Sequence, residues 1–389
     1  MVQEVSYQLS ATSTTSLIRR LEIVYSIAQV QTYIVKAWQT IKQLNRRSLL
    51  SFTGLFLVGV SLSVAIAACD STSAAKPDLK LKLVSYSVTK AAHDRIIPKF
   101  VEQWQKEHNQ NVTFETSYGG SGSQAAAVIS GSQEADIVNL ALALDINKIA
   151  QAGLIEPGWE REAPKSGVVT RSVAAIVTRP GNPKGIKTWA DLAKDGVKLI
   201  AANPETSGIG MWEFLGMWGS VTQTGGEESQ ALEFTTKVYK NASVLTKDAR
   251  EATERFFKQA QGDVLVNYEN EVILAERDGQ KLPYTIPEVN ISIDNPITVV
   301  DKNVDKHGTR EVAEAFVDFL YSAEAQREFA FLGYRPVNPS VVAEVTKNYP
   351  QVKTLFTVQD FGGWDAIQKR FFNKGATFDK IQTQVANKV

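Results

Sequence analysis

Residues suited to catalysis or metal binding are sparse in this chain. It holds one cysteine, Cys69, and three histidines, His93, His108 and His307, in 389 residues. A single thiol forms no internal disulfide and no cysteine-rich cluster, and three scattered histidines match no zinc-ligand spacing. Hydrogen-bond donors, by contrast, are concentrated. Ser117-Tyr118-Gly119-Gly120-Ser121-Gly122-Ser123 falls where a strand ends and a helix begins. Glycines there let backbone N–H groups face a ligand, and the helix start carries partial positive charge. The serines can cap the helix or donate to an anion. A nucleophile elbow would need Gly at 123, and a phosphate loop would need Gly-Lys-Ser/Thr. An ordinary glycine-rich turn with a serine cap would carry the same residues.

Two further junctions share this character. Asn203-Pro204-Glu205-Thr206-Ser207-Gly208-Ile209-Gly210 leads into a helix, and Lys247-Asp248-Ala249-Arg250-Glu251-Ala252 offers Asp248 as a helix cap. Singly each reads as capping; three strand-to-helix junctions together fit an anion held between two lobes. Arg250 is spaced to pair with Glu254 on the helix surface. A secreted phosphatase or sulfatase would need clustered histidines, a reactive thiol or a nucleophile–base pair. Ser121 has no histidine near it in sequence, so the chain is expected not to be an enzyme. The aromatics of Met211-Trp212-Glu213-Phe214-Leu215 read as core packing.

The elements around these junctions alternate. Leu81–Tyr86, Val112–Glu115 and Asp136–Leu140 have strand character; Ala91–Glu107 and Gln124–Ser130 have helical character. Ile97, Phe100, Val101 and Trp104 recur at helical spacing. Val173–Val177 reads as a buried strand, closed by the turn formers Arg179-Pro180-Gly181-Asn182-Pro183. A second alternating set runs from Lys198 to about Ile286, and Ile297–Val300 is a late strand before helices at Arg310–Tyr321 and Ala323–Phe331. The pattern predicts an α/β protein, with ligands at the carboxyl ends of strands. The organisation expected is a first lobe over 81–174, a second over 175–295 and a return over 296–389, whose last helices cross the lobes. A cleft would lie between the lobes, with a hinge near residues 175 and 295.

Hydrophobic residues at 43% and charged residues at 22% fit a globular protein. Basic and acidic residues number 42 each, so no basic excess points to nucleic acid. At the N-terminal end, Arg46-Arg47 precedes an uncharged apolar run from Leu49 to Ala68, and Ile66-Ala67-Ala68-Cys69 follows. Positive flank, apolar core and small residues before a cut site are the parts of an export signal. Small residues before a lone cysteine resemble the bacterial lipoprotein signal, in which the cysteine is acylated. A transmembrane anchor of minimum spanning length is the alternative. Residues 1–68 are thus read as the export region, with an unusually long n-region, and 69–80 as a tether. Asn45-Arg46-Arg47-Ser48-Leu49-Leu50 also resembles a twin-arginine signal. Losing residues 1–68 removes six basic and two acidic side chains and leaves a net charge of about −4.

From Leu83 to Phe378 the chain resembles the periplasmic sulfate- and thiosulfate-binding proteins of bacterial ABC importers. The resemblance rests on Val84-Ser85-Tyr86, Tyr118-Gly119-Gly120-Ser121-Gly122-Ser123-Gln124 and Leu140-Ala141-Leu142-Ala143-Leu144-Asp145. It continues through Arg179–Pro183, Asn203–Gly208, Tyr268-Glu269-Asn270-Glu271, Tyr334-Arg335-Pro336 and Phe361-Gly362-Gly363-Trp364. It implies a two-lobed clamp of the type II periplasmic-binding-protein kind, each lobe a mainly parallel sheet flanked by helices. It also implies no cofactor and no metal, a monomer, and a membrane ABC permease with its ATPase as partner. Carried over by position, Ser121 gives its hydroxyl, Ser207, Gly208 and Ile209 give second-lobe contacts, and Ala249 gives its N–H. Tyr268 stands where the family usually has a tryptophan N–H donor. Ser87 stands where it often has an aspartate contributing main-chain N–H. The 203–211 stretch lacks the family's lysine after Pro204 and Ala-Arg after Gly208.

Sulfate, as a full dianion, only accepts hydrogen bonds, so its site needs donors alone. Protonated phosphate also needs an acceptor, and a site without one leaves that proton unpaired. The transferred contacts contain no carboxylate, although Asp248 and Glu205 are neighbours whose inward turn would weaken the choice. Thiosulfate, molybdate and phosphate are the alternative ligands.

Overall fold

The structure, a computed structural model, describes residues 76–387. The expected export region, Cys69 and the first part of the tether lie outside the described residues. Among those described, no helix is long and apolar enough to cross a membrane.

The chain opens with β1 (Leu79–Tyr86), α1 (Lys90–His108), β2 (Val112–Gly119), α2 (Ser121–Ile129), β3 (Ile137–Asn139), α3 (Ala143–Gln151) and β4 (Val168–Ser172). It passes through Val173 into β5 (Ala174–Thr178), β6 (Leu199–Ala202), α4 (Gly208–Thr222), α5 (Glu228–Asn241) and β7 (Ala242–Thr246). The second lobe closes with α6 (Ala249–Thr253), β8 (Val264–Tyr268), α7 (Glu269–Arg277) and β9 (Tyr284–Thr285). The return comprises β10 (Val289–Ile291), β11 (Ile293–Val299), α8 (Asp301–His307), α9 (Arg310–Phe319), α10 (Ala323–Phe331) and β12 (Arg335–Pro336). Then come α11 (Pro339–Val345), β13 (Thr354–Phe356), α12 (Trp364–Ile367) and α13 (Thr377–Ala386).

Two sheets carry the lobes. One has the order β12-β4-β11-β3-β1-β2 and the other β7-β6-β8-β5-β9; β10 and β13 form a separate pair. Both sheets are mixed rather than mainly parallel. Strands linked by helical crossovers pair in parallel, β1 with β2 and β3, and β6 with β7 and β8. β5 and β11, which carry the chain between lobes, enter from the opposite end and pair antiparallel with β8 and with β3 and β4. Ala-Ala-Ile-Val-Thr in β5 and Val-Leu-Val-Asn-Tyr in β8 are buried throughout, as strands covered on both faces must be.

Helix α4 is buried continuously from Gly208 to Gly219, and its sequence is apolar on every side accordingly. Trp212 meets Trp364 of α12 at 5.1 Å, and Phe214 meets Phe371 at 5.2 Å and Phe372 at 5.1 Å. The C-terminal segment therefore caps the second lobe's core. Where the chain crosses between sheets, Asn290 clips the two passages: its amide accepts from Ala174 N–H (3.2 Å) and donates to Ala174 C=O (2.8 Å). Glu269 N–H donates to Val173 C=O at 3.0 Å.

Candidate functional site

Three helix starts meet where the lobes face each other. Helix α2 begins at Ser121, after Gly120; α4 begins at Gly208, after Ser207; and α6 begins at Ala249, after Asp248. Their convergence is measured by what a methyl group would hit. A Cβ on Gly120 would collide with the Thr206 carbonyl oxygen and lie 2.8 Å from that of Lys247. One on Gly208 would collide with Ala141 Cβ and lie 3.4 Å from Ser121 Cβ. The first lobe's helix start is thus flush against both second-lobe helix starts. Direct bonds span the gap as well: Trp212 Nε1 donates to Ala141 C=O at 3.0 Å, and Ser123 N–H to Thr206 C=O at 3.4 Å.

First-turn amides have no partner inside their helix. Among the described residues no acceptor is found for the N–H groups of Ser121, Gly122, Gly208, Ile209 or Ala249. Ser121, Ser207, Ile209 and Ala249 are all buried, at 4% exposure or less. The Ser207 hydroxyl makes no bond to its helix. Such buried, aimed, unpaired donors are what an anion requires.

Tyr268 ends β8 and is 1% exposed, and its hydroxyl has no partner among the described residues. Burial pushes the phenol far above its ordinary range, with nearby Tyr86, Glu213, Glu271 and Asp145 adding to the rise, so it remains a donor. Its ring meets that of Tyr86 edge-on at 6.1 Å. Ser87 is half-buried and opens the short turn Ser87–Thr89, which packs on α6. A cleft of about 790 Å³ lined by Ser87, Tyr118, Asp248 and Arg250 lies at this edge. Ser121, Ser207, Gly208 and Tyr268 do not line it.

The Ser121 hydroxyl, expected to meet a ligand, has partners of its own within the first lobe. Ser121 Oγ donates to Asp145 Oδ2 at 2.7 Å and accepts from Ala141 N–H at 3.0 Å. Its single proton is therefore held by a carboxylate, which leaves the N–H of Ser121 as its donor without an acceptor. The two carboxylates under suspicion do not turn in. Asp248 Oδ1 accepts from Glu251 N–H at 3.0 Å as a helix cap, and Glu205 is exposed. Asp145, one step behind the donors, had gone unremarked; an aspartate closing the otherwise apolar run 140–145 was the available signal. Arg250 does not pair with Glu254 but with buried Glu271, at 3.0 Å. Trp212, read as core, uses its indole N–H to cross the lobes.

Other buried carboxyls lie nearby. Glu269 is held by Arg335 through two bonds of 2.7 and 3.0 Å, and burial raises its pKa against that pairing. Glu213 is buried with no cation, and desolvation raises it well above the ordinary carboxylate range. No group of three or more potential metal-ligating side chains is found among the described residues.

Residues 81–335 match the family model described as bacterial extracellular solute-binding protein. The sulfate-binding protein of Synechococcus elongatus is 53% identical over 88% of this chain and 99% of its own length. That of Escherichia coli K12 is 39% identical over 83% and 98%, and a thiosulfate-binding protein of Pseudomonas aeruginosa is 36% identical over 82% and 96%. Among solved structures, the sulfate-binding protein SubI from Mycobacterium tuberculosis H37Rv superposes with a TM-score of 0.70, at 32% identity, over 76% of this chain and all of its own. A periplasmic thiamin-binding protein, 15% identical with a TM-score of 0.60, shares the fold alone. Two mixed sheets, helix starts converging between them and this set of relatives lead to one conclusion: the chain belongs to the bacterial extracellular solute-binding proteins, in the group of the sulfate- and thiosulfate-binding proteins.

Proposed function

We propose that the mature chain captures sulfate between its lobes and delivers it to a membrane ABC permease. The observation that carries this reading is the set of unpaired N–H groups at buried Ser121, Gly208, Ile209 and Ala249 and at half-buried Gly122, from three helix starts. The Tyr268 hydroxyl and the N–H of Ser87 complete it from opposite lobes. Ser207 adds a hydroxyl at the start of α4. A dianion that only accepts hydrogen bonds matches such a donor set, and the bidentate Glu269–Arg335 pair keeps one nearby carboxylate engaged elsewhere. Capture rather than catalysis suits a Ser121 whose proton is already given to Asp145. Thiosulfate, with the same charge and three of the same oxygens, is the second ligand the site would accept.

Calorimetric titration of residues 70–389 with sulfate, thiosulfate, molybdate and phosphate tests the reading. Sulfate should bind at one site and phosphate far more weakly; tight phosphate binding with no sulfate heat would overturn it. Sulfate at 100 times its dissociation constant should add about 2.7 kcal/mol of stability.

The family operates outside the cytoplasm. We further propose that this chain is tethered there as a monomer by a lipid on Cys69. Fatty-acid labelling should disappear in Cys69→Ser, and label that persists would contradict the tether.

A further inference from the structure

We infer that Asp145 tunes the anion selectivity of this site by taking the Ser121 hydroxyl proton out of the donor set. The inference rests on the oxyanion reading above. Asp145 stands at the third position of α3, 1% exposed. One oxygen accepts from Ser121 Oγ at 2.7 Å, and the other pairs at 3.0 Å with Lys148, whose side chain is 35% exposed. Ser121 is itself 1% exposed, and its Oγ also accepts the Ala141 N–H. Ala141 in turn is the residue against which Gly208 closes and to which Trp212 donates. Asp145 is thus a positioning residue for the junction of the two lobes, acting through Ser121.

Two consequences follow from elementary electrostatics. A hydroxyl has one proton, and a charge-assisted bond of this length holds it firmly. Anion binding on this side therefore depends on the amides of α2 rather than on the hydroxyl. In addition, a carboxylate one residue behind the site repels a dianion twice as strongly as a monoanion of the same shape. Lys148, partly in water, offsets only a fraction of that field. The charge of Asp145 also reaches Tyr268 across the cleft, so it acts on donors from both lobes.

The test compares wild type, Ser121→Ala, Asp145→Asn and the double variant, each titrated with sulfate and with perchlorate, a tetrahedral monoanion. Asn is nearly isosteric and removes the charge, and its neutral amide oxygen holds the Ser121 proton less firmly, which frees the hydroxyl to turn to the anion. Ser121→Ala keeps the main-chain N–H that the site uses and removes only the hydroxyl, so sulfate affinity should change by less than about threefold. Asp145→Asn should tighten sulfate by about tenfold and perchlorate by about threefold, raising the ratio between them. The double variant should lose part of that gain, because the freed hydroxyl contributes to it. A purely structural role for Asp145 would instead weaken both anions equally and lower the melting temperature. That result, or a tenfold loss in Ser121→Ala alone, overturns the inference while wild type still binds sulfate. A wild type binding none of the tetrahedral oxyanions contradicts the functional reading itself. Should Asp145→Asn not fold, Ser121→Ala decides.

Discussion

Each lobe buries a titratable group, and the two solve its burial with opposite chemistry. In the first lobe the group is a base: His93 of α1 is fully buried, shares a 3.3 Å contact between Nδ1 and the Tyr118 hydroxyl, and is pushed by desolvation down to about 4. In the second it is an acid: Glu213 of α4 accepts from Ala202 N–H at 3.3 Å, and desolvation drives it well upward. In each case burial disfavours the charged form, and His93 is uncharged at pH 7. Each lobe also bonds a buried carboxylate to a donor helix and sets a cation beside it: Asp145 with Lys148 in the first, Glu271 with Arg250 in the second. The lesson is that each lobe tolerates an isolated buried titratable group by favouring its uncharged form, and offsets the other buried carboxylates with a cation.

The largest effect expected on breaking this pairing is in acid. Folded His93 stays neutral while the unfolded chain protonates near 6.5. Its stabilising contribution is complete above that value and falls away as pH drops from about 6.5 towards 4. The loss should reach about 3 kcal/mol. Denaturant melts at pH 7 and pH 4 should show a smaller difference in His93→Gln than in wild type; equal differences would contradict the assignment.

Closure comes next. Gly120 has an ordinary φ of −63°, so Gly120→Ala should fold. Its methyl, however, collides with the carbonyls of Thr206 and Lys247. Sulfate affinity should fall about a hundredfold, and small-angle scattering should show no compaction on adding sulfate. Retained compaction would show that the lobes close differently. Tyr268→Phe removes one donor to a buried dianion and leaves the packing against Tyr86. Titration should read a loss of about ten- to a hundredfold, or 1.5–3 kcal/mol. The smallest effect is in the second lobe. Burial raises Glu213, so the stability it contributes is present in acid and is lost as pH rises above the unfolded value near 4.5. Glu213→Gln should therefore gain on wild type between pH 5 and pH 8, by about 2–4 °C in Tm.

Much of this was legible in sequence because it is local. The Gly-Gly-Ser-Gly turn, the Ser207-Gly208 junction and the Asp248 cap each announce a helix start within a few residues. Ala323–Phe331 was bounded as found. What stayed hidden depends on distance in the chain. Asp145 is 24 residues from the Ser121 it binds, and Glu271 is equally remote from Arg250 in periodicity terms. Arg250 was paired with Glu254 because helical spacing favours neighbours at i+4; a buried carboxylate on α7 outcompetes an exposed one. The short strands β9, β10, β12 and β13 were missed, since two or three residues carry no readable alternation, and β4, five residues long, was missed as well. The mixed sheets escaped for the same reason, because strand direction is set by which lobe the chain enters from.

The central claim is that main-chain N–H groups at three helix starts hold the anion. Amide proton shifts in a deuterated, ¹⁵N-labelled mature chain titrated with sulfate test it most directly. Stronger hydrogen bonding should move the amides of Ser121, Gly122, Gly208, Ile209 and Ala249 downfield together, saturating at one equivalent. Saturable sulfate binding that leaves these five amides in place would contradict it.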